Sequence, residues 1–153
     1  MPIPEFDSGG WLPAGLHECT LAEVEERFGR LILAGPRATD RRVLLFERFR
    51  TLISEFNRSR LNVTVIVDGS FVTQAAHPED IDLIVSLPPG FDLGMELSAM
   101  ETNLLDARYV RRHYSFDVRV VREGRPEYHE VVAFFEQVKG RPGFKKGLLR
   151  LIP

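Results

Sequence analysis

With 153 residues, 44% hydrophobic and 27% charged, the chain has the size and balance of one globular domain, 1–153, able to bury a core of its own. A formal net charge of −2 excludes a global field drawing it to nucleic acid or membrane, so any such attraction has to be local. Cys19 is the one cysteine, which excludes an intramolecular disulfide and fits a reducing cytoplasm, and no apolar run approaches transmembrane length.

Residues 1–19 are rich in Pro and Gly, lack periodicity and show no signal-peptide pattern; they read as an N-terminal arm that Trp11, Leu12 and Leu16 pin to the body. Thr20-Leu21-Ala22-Glu23 has the form of a capping box, so a short helix is expected to run to Phe28 and stop at Gly29. Thr39 to Asn57 is the strongest helix, with Leu45, Phe49, Leu52, Ile53 and Phe56 in one apolar stripe and Arg and Glu on the other face. Val63–Val67 is a nearly continuous apolar run suited to a strand buried on both faces.

Gly69-Ser70 turns the chain, and a short helix over Ser70–Ala76 is expected before His77-Pro78-Glu79 breaks it. The alternation of Ile81, Leu83, Val85 and Leu87 gives a second strand, ended by Pro88-Pro89-Gly90. Leu93, Leu97, Met100 and Leu104 predict a helix over about Leu93–Leu105, and Arg112–Val121 reads as a third strand. An amphipathic helix is expected over Glu127–Val138, and residues 139–153 form a basic tail broken by Gly and Pro. These elements make an α/β (α+β) fold, a small mixed sheet flanked by helices.

The chemistry lies around residues 69–82. Side chains alternate across a strand, so Asp80 and Asp82 point the same way. Two carboxylates together call for a hard, oxygen-seeking cation, Mg²⁺ before Mn²⁺. The adjacent Gly69-Ser70 bend can offer backbone N–H groups to phosphate. Together they point to a nucleoside triphosphate, with Thr73 lining the site or merely packing. If the third strand lies beside the second, Asp117 joins the pair, and three carboxylates can hold two ions for phosphoryl transfer, Asp117 doubling as general base.

Plainer roles stand beside these. Asp80 and Asp82 can be solvated carboxylates at a sheet edge, Asp117 can pair with Arg111, Arg112 or Arg119, and Ser70 can cap a helix. No histidine shows metal spacing. The tail cations Lys139, Arg141, Lys145, Lys146 and Arg150 form a solvated face, lean toward a triphosphate or grip RNA or an acidic partner protein; Arg108, Arg111 and Arg112 are a second basic cluster.

Gly69-Ser70, Asp80-x-Asp82 and the later strand residue Asp117 resemble the nucleotidyltransferase (DNA polymerase β-like) superfamily over roughly residues 63–121. The resemblance implies the nucleotidyltransferase fold, a triphosphate held by Gly69 and Ser70, and metals held by Asp80, Asp82 and Asp117. The run Gly69-Ser70-Phe71-Val72-Thr73, the arm Phe6-Asp7 with Leu12-Pro13-x-Gly15-x-His17, and Lys146-Gly147 also resemble a family of small bacterial nucleotidyltransferase-like proteins. That wider group includes the minimal nucleotidyltransferases of toxin–antitoxin and phage-defence pairs. It implies transfer of a nucleotide, from ATP first, to a protein or RNA hydroxyl, with no membrane involved. The alternative is a catalytically silent module acting by association with a protein or RNA. Minimal members carry arginines between the Gly-Ser turn and the acid pair; Phe71 to Glu79 holds none, so triphosphate charge must be met by metal, backbone and residues elsewhere.

Overall fold

The structure, a computed structural model, describes residues 2–29 and 35–153. In chain order the elements are β1 (Gly15–Glu18), α1 (Leu21–Val24) with a π turn (Glu25–Gly29), α2 (Gly35–Arg58), β2 (Thr64–Asp68), a 3₁₀ turn (Ser70–Val72), β3 (Asp82–Leu87), α3 (Ala99–Leu104), α4 (Ala107–Tyr114), β4 (Asp117–Arg122), α5 (Pro126–Glu136), β5 (Gln137–Val138), β6 (Arg141–Lys145) and β7 (Gly147–Leu151). Five strands form a mixed sheet in the order β1-β7-β2-β3-β4, and β5 and β6 pair separately. β1 and β7 are parallel, as are β3 and β4; β2 is antiparallel to both its neighbours. The fold is the small mixed α/β arrangement with flanking helices that the sequence predicts.

Strand alternation makes two cores. Val65, Val67, Leu83, Val85 and Leu149 pack in one cluster with Leu45, Phe49, Leu52 and Phe56 of α2. Ile66, Ile84, Val121 and Leu148 pack in a second with Val132 of α5. Apolar burial on this scale is the main driving force of the fold.

Several elements depart from the expected boundaries. The Thr20–Glu23 capping box forms, but α1 gives way to a π turn after Val24. The helix expected over Ser70–Ala76 is one 3₁₀ turn, because buried Arg42 takes the carbonyls of Phe71, Thr73 and Ala75 at 2.7, 2.8 and 2.5 Å and Thr73 is extended. The helix expected from Leu93 starts at Ala99. Asp92 instead closes a turn by accepting from the Gly94 amide, a local bond that competes with helix. Arg112–Tyr114, expected as strand, belong to α4: Asp106 caps that helix by accepting from the Arg108 and Tyr109 amides, and Ser115 ends it in the left-handed region. The helix expected to reach Val138 ends at Glu136, where Gln137 turns extended.

The tail is the largest departure. It forms the β5–β6 hairpin and then β7, which lies between β1 and β2. The arm folds onto the body: Leu12 is buried, Trp11 lies against Phe144, and Gly10 accepts from the Gln74 amide.

Candidate functional site

β2 ends at Asp68 and the chain bends at Gly69, where φ is +95°. A Cβ there would sit 2.8 Å from the Asp80 carbonyl oxygen and 3.0 Å from the Asp82 nitrogen. Only glycine lets β2's exit fold this closely onto β3's entrance.

Register does the rest. Asp68 pairs with Asp82 across β2–β3, and Asp82 pairs with Asp117 across β3–β4. With strands about 4.8 Å apart, three carboxylates from three strands stand in a row at one end of the sheet. Alternation puts them on the face that carries Ile66, Ile84 and Val121, beside α5.

Each end of the row meets a cation. Lys146, just before β7, lies 2.8 and 2.9 Å from the two oxygens of Asp68, and both side chains are largely buried, 17% and 7% exposed. Arg111 of α4 donates to Asp117 at 2.5 Å in the open, at 73% and 63% exposure. Asp82 in the middle has no ion pair or side-chain hydrogen bond among the described residues. Its carboxyl is pushed up to about 6, first by burial and then by the charges of Asp80, Asp68 and Asp117. Asp68 is also raised by burial, against the pull of Lys146.

Asp80 lies ahead of β3 rather than in it. Its Oδ1 accepts from the Ser70 amide at 2.9 Å and from the Ser70 hydroxyl at 2.8 Å. The bend's amides are thus engaged internally: Phe71 and Val72 donate to the Asp80 and Gly69 carbonyls. The Thr73 hydroxyl donates to the Ser70 carbonyl and accepts from the Ala75 amide.

Asp68, Asp82 and Asp117 open onto a cleft of about 1020 Å³, at the upper end of the range for ligand sites. Arg108 and Arg111 of α4 line one wall; Phe134, Val138 and Pro142, from α5 and the β5–β6 hairpin, line another. Phe134 is 63% exposed there.

The donor set is carboxylate oxygen throughout, which fits a hard divalent cation. Among the described residues, no three His, Cys, Asp or Glu side chains are grouped to hold a metal ion as they stand. Three of the carboxylates have partners of their own: Ser70 donates to Asp80, Lys146 pairs with Asp68 and Arg111 with Asp117. Burial pushes the Cys19 thiol up to about 12.

The model of DUF6932, a family of unknown function, matches residues 4–152. The chain belongs to DUF6932. No curated protein and no solved structure matches it. The match takes in both the arm and β7, the two ends that meet at Lys146-Gly147.

Sequence reasoning reached Asp82, Asp117 and the bend. It missed Asp68, although Asp68 shares the parity of Ile66 and directly precedes Gly69. Arg111 is one of the partners expected for Asp117, and the pair forms; Lys146 stands in the sequence as one cation of the basic tail. Arg42 lies outside the apolar stripe expected for α2, yet it is fully buried, and it meets its charge with carbonyl oxygens. No helix among the described residues is long and apolar enough to cross a membrane.

Proposed function

We propose that this chain is a Mg²⁺-dependent nucleotidyltransferase that moves a nucleotide from an NTP, ATP first, to a protein or RNA hydroxyl. The observation that carries this is the strand register: Asp68, Asp82 and Asp117 lie side by side next to a glycine bend and open onto a nucleotide-sized cleft. Asp82, Asp80 and Asp117 would hold the ion, which when bound supplies charge neutralisation on the phosphates and activation of the attacking hydroxyl. Asp117, released from Arg111, accepts the proton of that hydroxyl on its carboxylate. Gly69 and Ser70 fix where Asp80 stands and border the triphosphate. The resemblance to minimal nucleotidyltransferases suggests a cytoplasmic toxin–antitoxin or phage-defence setting.

Asp82→Asn tests it. The amide keeps the shape, removes the ligand charge and relieves crowding among like charges. Transfer of label from [α-³²P]ATP should fall by about 100-fold or more, while the melting temperature holds or rises. Full transfer by the variant overturns the proposal.

The second reading, a catalytically silent binding module, is favoured by one observation: Lys146 and Arg111 already occupy both ends of the carboxylate row. ATP titration with and without Mg²⁺ separates the two. Metal-dependent binding supports the enzyme, and no binding supports the module.

A further inference from the structure

The two cations that cap the carboxylate row are held very differently. The Lys146–Asp68 pair is buried, and stripping one partner from a buried pair costs a factor of about several hundred or more. The Arg111–Asp117 pair stands in water, and an exposed pair is worth a factor of about five at most. Anything that enters the row therefore displaces Arg111 and leaves Lys146 in place. Arg111 also sits on a cleft wall with Arg108, one turn away on α4. The segment Phe71–Glu79 beyond the bend has no Lys or Arg to meet phosphate charge.

We propose that Arg111 is an exchangeable latch: it closes the carboxylate row in the empty protein, yields Asp117 to a divalent cation, and then binds, with Arg108, the phosphates of a nucleoside polyphosphate in the cleft. The inference rests on the nucleotidyltransferase reading and deepens it by assigning the phosphate-binding arginines to α4. The guanidinium fork suits both partners, since carboxylate and phosphate oxygens accept from it in the same geometry. No bond is made or broken in the exchange; Asp117 trades one positive partner for another.

The test is Arg111→Met, read by two binding measurements that need no turnover. Titration with Mn²⁺ alone should show about two- to fivefold tighter binding than wild type, because the competing guanidinium is gone. Titration with inorganic triphosphate in the presence of saturating Mg²⁺ should show about tenfold weaker binding or worse, because a charge-assisted donor is gone. Arg111→Lys keeps the charge and should restore part of both. The side chain is exposed, so the variants fold, and far-ultraviolet circular dichroism verifies this. Mn²⁺ affinity unchanged or reduced in Arg111→Met overturns the latch, as does unchanged triphosphate affinity. If Arg111→Met behaves so while Asp82→Asn still abolishes nucleotide transfer, the latch is wrong and the nucleotidyltransferase reading survives. If wild type binds neither Mn²⁺ nor triphosphate, both fall.

Discussion

A charge taken out of water has to be met by something, and this chain meets it in two ways. Arg42 is fully buried, and its guanidinium donates to the carbonyls of Phe71, Thr73 and Ala75. Burial lowers its pKa to about 10, which still leaves it charged at neutral pH. It thus ties the loop behind the Gly69-Ser70 bend to α2. Asp68 is met by a cation instead, and that cation comes from the far end of the chain. Gly147 makes the delivery possible: a Cβ there would lie 2.0 Å from the Pro13 carbonyl oxygen, so only glycine lets the arm pass over the start of β7. Lys146→Met should therefore cost about 3–5 kcal/mol, because it leaves Asp68 buried and unpaired. Adding Asp68→Asn should recover most of that loss. Urea denaturation of wild type, both single variants and the double variant measures the coupling. A Lys146→Met loss below about 1 kcal/mol, the level of an exposed pair, would show that the pair is solvated.

Elements whose signals are local were legible in the sequence, and those fixed by distant partners were not. The Thr20–Glu23 capping box, the apolar stripe of α2, the continuous apolar run of β2 and the alternation in β3 all lie within a few residues and fold as read. The Ser70–Val72 turn stops short because Arg42, far back in sequence, takes its carbonyls. α4 escaped notice although Asp106 is a good N-cap and Arg111, Arg112 and His113 suit its C-terminal dipole; the strand-like run after Phe116 masked it. α3 carries its own testable tie. Ser98 and Glu101 form its capping box, and the Glu101 carboxylate, on a residue only 2% exposed, also pairs with Arg60 at 2.7 Å just beyond α2. The Arg60 hydrogen bond, with the Ser98 amide behind it, holds the Glu101 carboxyl down to about 2, below its usual 4.5. A folded-state pKa below the unfolded one adds stability that is present above the unfolded pKa and lost as pH falls through the folded one. Glu101 should accordingly support the fold in full above about pH 5, and its contribution should drain away from there toward pH 2. Glu101→Gln should melt roughly 5–10 °C below wild type at pH 7, with the gap closing as the pH drops toward 2. A pH-independent gap would mean that the charge does not matter there.

At the scale of the whole molecule, the site is assembled by the sheet order, and the least legible strand is the one that closes it. Asp82 and Asp117 could be brought together on paper because β3 and β4 each announce themselves by alternation. β7 is hidden in a segment with Gly140, Pro142, Gly143 and Gly147, and its consecutive Leu148 and Leu149 fit no two-residue period. Both are nevertheless fully buried, Leu149 in one core and Leu148 in the other, as expected of an inner strand covered on both faces. β7 also pairs with β1 on one side and β2 on the other, so without it β1 has no neighbour in the sheet and Lys146 has no anchor. Burying Leu148, Leu149 and Leu151 is worth about 1.5–3 kcal/mol each, together comparable with the 5–15 kcal/mol that typically holds a whole domain. A chain ending at Lys146 should therefore lose cooperative unfolding altogether, although every proposed site residue is still present in it. Thermal melts followed by near-ultraviolet circular dichroism, together with amide exchange of β2, would measure this. A truncated chain that melts cooperatively within a few degrees of wild type would show that β2, β3 and β4 stand without β7, and the carboxylate row would then owe nothing to the C-terminal strand.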